Sequence, residues 1–167
     1  QAALDELEHA KRCLTVASVY AGQALEPLAF PEAVGPIEQE LSVIIDEVLA
    51  EGCIGETVAA TLAELSATRA GHPQLRETCE TIARDEAQHA LLAWRFIKWA
   101  QAQQPEVVNA RIVAALRRIE SAPPCEGAAD EPSLLAHGHV GEAQSRRVVH
   151  DAQLEVVAPL LRALLAA

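Results

Sequence analysis

A chain of 167 residues, half of them hydrophobic, is long enough to bury the core of one domain. Its formal charge of −11 disfavours nucleic acid and anionic membranes as principal partners, because both would be repelled, and suits a protein that handles cations or neutral small molecules. No stretch approaches the ~20 continuous apolar residues of a membrane span, and four cysteines without a CxxC do not make a disulfide framework.

Ala, Leu and Val dominate and aromatics are 3%, so the expected class is all-α. Five helices are predicted. The first runs from the beginning to about residue 20 and stops near Gly22, and a Pro- and Gly-rich connector spans residues 23–36. The second covers about 37–69 and ends at Gly71-His72-Pro73, a stop signal. The third covers about 74–103 and is closed by Pro105. A shorter helix, about 106–120, leads into a stretch with three prolines, Cys125 and Gly127 at 121–132. The last begins near Gly141, with a bend expected at Pro159.

On a helical wheel of about 100° per residue, the first helix carries a stripe of Ala2, Glu6, His9, Ala10, Cys13, Val16, Ala17, Tyr20 and Ala24. The third carries Leu75, Cys79, Ile82, Glu86, His89, Ala90, Ala93, Phe96, Ile97 and Ala100. Each apolar stripe therefore holds one Glu and one His three residues apart, as Glu6-Leu-Glu-His9 and Glu86-Ala-Gln-His89. A buried carboxylate is costly without a proton or a cation, and i, i+3 spacing sets carboxylate and imidazole side by side. One such pair is an ordinary helix-surface contact. Two, on two apolar stripes, are the ligand pattern of dinuclear metal bundles.

The second helix offers Glu51 and Glu56 as a further ligand. Glu56 lies in the apolar arc of Leu41, Ile45, Leu49, Gly52, Ala59, Ala60 and Ala63, whereas Glu51 lies on the polar border with Glu40, Glu47 and Arg69. Glu56 and Glu86 also stand equally far from Gly71, so antiparallel packing about that turn brings them level. Glu56 is the expected ligand.

The segments LDELEHAKRC, EGCIGETVAA and IARDEAQHALLAWRFIKWA resemble the ferritin-like di-iron carboxylate superfamily, and more narrowly a group of bacterial ferritin-like domain proteins. The resemblance covers roughly residues 1–104. It implies a single ferritin-like domain over residues 1–167, with 105–167 as a helical extension. It implies Glu6, His9, Glu56, Glu86 and His89 as ligands of two ions about 3.5–4 Å apart, iron first and manganese second. The activity implied is an oxidoreductase using O2 or peroxide with an unknown reductant or substrate. Iron storage with ferroxidase activity, in a homo-oligomer, and a structural bundle with a degenerate site are the alternatives.

This sequence departs from the superfamily in one respect. A Glu-bearing helix should precede Glu6, and five residues do. The later carboxylates Glu106, Glu120 and Glu142 sit at helix ends, and His150 with Glu155 does not reproduce the spacing. The expectation is a ferritin-like four-helix bundle lacking its first helix, with an N-terminal fragment or a partner chain supplying that helix and a sixth ligand. The absence of Met and the start at Gln1 accord with a removed segment. The sequence leaves the compartment open, between the cytoplasm and the destination of a lost targeting sequence.

Other residues receive plainer readings. Cys13 and Cys79 lie seven residues from their helix's Glu, about 10 Å along the axis, so they are expected as core thiols with pairing as the alternative. Cys53 is expected in the core, Tyr20, Trp94 and Trp99 as packing residues, His137-Gly-His139 as a polar loop, and His72 as a turn residue.

Overall fold

The computed structural model describes residues 1–28, 40–123 and 132–166, and every regular element among them is helical. The expected start of the second helix at residue 37 and the loop bearing Cys125 lie outside the described residues. The chain forms two compact units, Gln1–Glu38 and Gln39–Ala167. No helix of the described residues is long and apolar enough to cross a membrane.

The first unit contains α1, Ala2–Ala21. Gly22 ends it in the left-handed conformation (φ 67°), which a residue without Cβ adopts at no steric cost. Its N–H donates to the Val19 carbonyl and that of Gln23 to the Ser18 carbonyl, both at 3.3 Å, which satisfies carbonyls the helix end would otherwise strand. The stripe expected on α1 is buried only at His9; Cys13 and Tyr20 are exposed and Val16 is half-buried. The reason is local. α1 is the one helix among this unit's described residues, so it has no second helix within the unit to cover a full stripe.

The second unit begins with a long composite helix, α2, over residues 41–69. Two α-helical segments, Leu41–Glu47 and Glu56–Arg69, flank a π-helical segment, Val48–Gly55. Next come α3 (Pro73–Gln103), α4 (Pro105–Glu120) and the short α5 (Pro132–Leu135). The last helix, α6, spans residues 142–166 as Glu142–Ala152, a second π segment Gln153–Val157, and Ala158–Ala166.

Residues expected as stops also act as starts. Pro73 and Pro105 each occupy a first-turn position, where the missing N–H costs no hydrogen bond. His72 caps α3, its Nδ1 accepting from the Gln74 N–H at 3.3 Å, so it is more than a turn residue. Pro159 lies two residues past the second π segment. A proline cannot donate to the carbonyl four residues back and its ring crowds that carbonyl; here that carbonyl belongs to Glu155, within the π segment.

One core joins α2, α3, α4 and α6. Ile45, Ile97, Val108, Ile112, Val157 and Leu161 are fully buried in it, beside Cys53, Ala93 and Ala100. The helices of residues 105–120 and 142–166 are therefore built into the same hydrophobic core as α2 and α3. Each large aliphatic side chain removed from water there contributes roughly 1.5–3 kcal/mol. At the far end, Arg69 on α2 donates to the His139 carbonyl (2.9 Å) and to the Gln144 side chain, tying α2 to the loop before α6 and to α6 itself.

Candidate metal centre

Within the second unit, α2 and α3 run as an antiparallel pair joined at residues 70–72. Glu86 and His89 lie in the middle of α3, 31 residues long, and keep only 7% and 8% of their surface exposed. Their burial continues the stripe through Ala90, Ala93, Ile97 and Ala100, as α-helical periodicity requires. Glu56 is half-buried on α2, the first residue after the π segment. One carboxylate oxygen each from Glu56 and Glu86 and one imidazole nitrogen from His89 lie within 4.8 Å of one another.

On α3, His89 Nδ1 lies 3.1 Å from Glu86 Oε2. Ligand bonds of ~2.0–2.2 Å at tetrahedral or octahedral angles separate neighbouring donor atoms by roughly 3.0–3.4 Å. The 3.1 Å separation is that of a hydrogen bond between the two groups, and it also falls in the range that two donor atoms on one cation would take. Two carboxylates with one imidazole form a hard-to-borderline donor set suited to Fe, Mn or Zn. The residues fit a divalent ion.

Small residues let α2 and α3 come this close. A Cβ built on Gly52 would lie 2.7 Å from the Ala93 Cβ, a separation real Cβ atoms do not tolerate. Gly52 is one helical turn before Glu56, and Ala93 is one turn after His89, so this contact sits beside the cluster.

On α1, Glu6 and His9 repeat the motif, with His9 Nδ1 3.7 Å from Glu6 Oε2. His9 is 6% exposed, while the Glu6 side chain keeps 54% of its surface.

The remaining candidates are placed elsewhere. Glu51 is exposed, as its position on the wheel implies. Glu106 is exposed in the first turn of α4, where a negative charge is favourable. Glu120 pairs with Arg162, Glu142 with Arg146 at 2.9 Å, and His150 with Asp151 at 3.2 Å. Glu155 is exposed. His137 and His139 are exposed about Gly138 (φ 72°), a polar turn. Cys13, Cys53 and Cys79 are all reduced thiols. Burial pushes the Cys53 thiol up from 9.0 to about 12, so it stays protonated and is no thiolate ligand at neutral pH. Tyr20 and Trp99 are exposed, Trp99 lying against Phe96 with ring centroids 5.6 Å apart.

Neither π segment follows from side-chain periodicity. The first leaves one trace in the sequence, Gly52 and Gly55, two glycines inside a helical pattern, each costing about 1 kcal/mol relative to Ala.

No protein-family description, curated protein or solved structure matches the chain.

Proposed function

We propose that this chain binds a dinuclear divalent-metal centre, iron first and manganese second, and uses it as an oxidoreductase toward O2 or peroxide. The observation that carries the reading is the convergence of Glu56, Glu86 and His89, two of them buried, from two helices. Glu6 and His9 join the proposed ligand set through the repeated motif and the superfamily resemblance. The sixth ligand is proposed to come from an N-terminal fragment or a partner chain.

The chain's own residues have definable tasks. The buried Glu86 and the half-buried Glu56 supply carboxylate oxygens that would offset the charge of bound cations. The imidazole of His89 supplies a nitrogen donor beside these carboxylates. The helices hold these groups rigidly, so binding requires little reorganisation. A redox-active metal pair, when bound, supplies the electrons that O2 or peroxide would accept. Gly52 and Ala93 set the spacing between the helices that present the donors.

The test is anaerobic Fe(II) titration of chelator-treated protein, followed by elemental analysis and by oxygen and peroxide consumption. Retention of about two ions per chain, lost in Glu86→Gln/His89→Ala, with consumption of oxidant, supports the proposal. Absence of retained metal after loading overturns it.

A further inference from the structure

A concavity of about 270 Å³ opens on the second unit, and none of the proposed ligands lines it. Its apolar wall consists of Leu49 and Ile54 from α2 and Ala115 and Ile119 from α4. Its polar groups are Asp46, Arg118 and Gln153. Both π segments of the molecule contribute. Leu49, Ala50 and Ile54 belong to the π segment of α2, and Gln153 is the first residue of the π segment of α6. A π turn carries one extra residue and poorer hydrogen-bond geometry than an α turn, and such turns gather at functional sites. Here two of them widen facing helices at the same cleft.

The polar groups give the cleft a sign. Asp46 is occupied by Arg111, 3.2 Å away, so its charge is met on the protein. Among the described residues, the Arg118 guanidinium has no ion-pair or hydrogen-bond partner, and neither has the Gln153 side-chain amide. An available guanidinium and an available amide therefore border an apolar wall. A guanidinium binds a carboxylate through two parallel N–H donors, the amide N–H adds a third, and the wall receives hydrocarbon. The volume lies just below the ~300–1,000 Å³ of drug-sized sites, which suits a short or medium chain.

We propose that this cleft binds a small aliphatic monocarboxylate, its carboxylate on Arg118 and Gln153 and its chain on Leu49, Ile54, Ala115 and Ile119. This site is independent of the metal reading, because none of its residues belongs to the proposed ligand set.

The probe is octanoate, titrated into metal-free protein by calorimetry and by amide chemical-shift mapping, with octan-1-ol as the neutral comparison. Saturable one-to-one binding is expected, with shifts clustered at residues 46–54, 115–119 and 153. Arg118→Gln should weaken binding about tenfold or more, as for loss of a charged hydrogen-bond partner. Ala50→Trp, at an exposed position on the rim, should block the cleft without disturbing the core. Glu86→Gln should bind octanoate as the parent does. The proposal is overturned if folded protein shows no saturable binding, if Arg118→Gln binds unchanged, or if octan-1-ol binds as tightly as octanoate.

Discussion

Gly52 and Ala93 are in such close apposition that any side chain at residue 52 must displace one of the two helices that present Glu56, Glu86 and His89. A Cβ at Gly52 would come within 2.7 Å of the Ala93 Cβ, and neither atom can rotate away. Gly52→Ala is therefore expected to lower stability by about 1–3 kcal/mol, the range for overpacked cores, despite alanine's better helix propensity. Urea denaturation of the metal-free protein measures this. Ala93→Gly in the same background should recover part of the loss, since it removes the opposing atom. Equal stability of Gly52→Ala and parent would show that the helices can part freely.

α3 was legible in the sequence because it is a regular helix of 31 residues. A stripe drawn at 100° per residue stays in phase from Glu86 and His89 through Ala93 and Ile97 to Ala100, and all five are buried. In α2 the same wheel picked Glu56 over the exposed Glu51, and Cys53 is buried as expected, but the π segment Val48–Gly55 was not anticipated. The extra residue belongs to backbone hydrogen bonding, which side-chain periodicity does not encode. α1 failed differently: its composition announces an apolar stripe, yet burial is a property of neighbours, and within its unit α1 has no second described helix to cover it. The cleft at Arg118 and Gln153 was invisible for a related reason. It exists only once three helices, two of them with π turns, have packed together.

Glu56 and Glu51 allow a clean discrimination within one helix. Glu56 offers an oxygen within 4.8 Å of donor atoms on Glu86 and His89, whereas Glu51, five residues earlier, faces solvent. Glu56→Gln keeps the shape and removes the charge, and should weaken Fe(II) or Mn(II) binding about tenfold or more, as when a charged partner is lost. Glu51→Gln should leave affinity within about twofold, since exposed single charges contribute little. Equilibrium dialysis with each metal separates the two cases. Equal losses in both variants would point to a diffuse acidic surface.

Metal binding should also appear as stability, since a ligand that binds only the folded chain stabilises it by mass action. At a free metal concentration 100 times the dissociation constant the gain is about 2.7 kcal/mol. The parent should therefore show a higher Tm with Mn(II), a redox-silent probe under these conditions, than with chelator. In Glu86→Gln/His89→Ala the two melting curves should coincide. If that variant gains as much as the parent, the ion is held elsewhere.

Arg69 should matter more than an ordinary surface arginine. It donates to the His139 carbonyl at 2.9 Å and to Gln144, and so fixes the loop before α6 against the end of α2. Arg69→Ala is expected to cost about 1–2 kcal/mol, as for a partly exposed charged hydrogen-bond donor. Hydrogen exchange should locate the effect, with faster exchange at residues 138–145 and little change around Ile97 and Ile112. A uniform rise across the chain would assign Arg69 a global role.

Cys53 gives the fold a pH dependence of definite sign. Its thiol is fully buried, and burial raises it from 9.0 to about 12, so the folded chain keeps the proton longer than the unfolded chain does. Between these two values the folded state binds more protons, and unfolding becomes easier as pH rises. The stabilising contribution is complete below about 9 and is lost progressively as pH climbs toward about 12. The slope is about 1.4 kcal/mol per pH unit for one group. Cys53→Ala removes the titrating group, so its stability should change less steeply with pH above 9 than that of the parent, even though the smaller side chain lowers stability at every pH. Denaturant unfolding at pH 8, 9 and 10 supplies the comparison, and parallel curves for the two proteins would remove Cys53 as the source of the alkaline loss. The same burial predicts slow alkylation of Cys53 by iodoacetamide at pH 8, with exposed Cys13 reacting first.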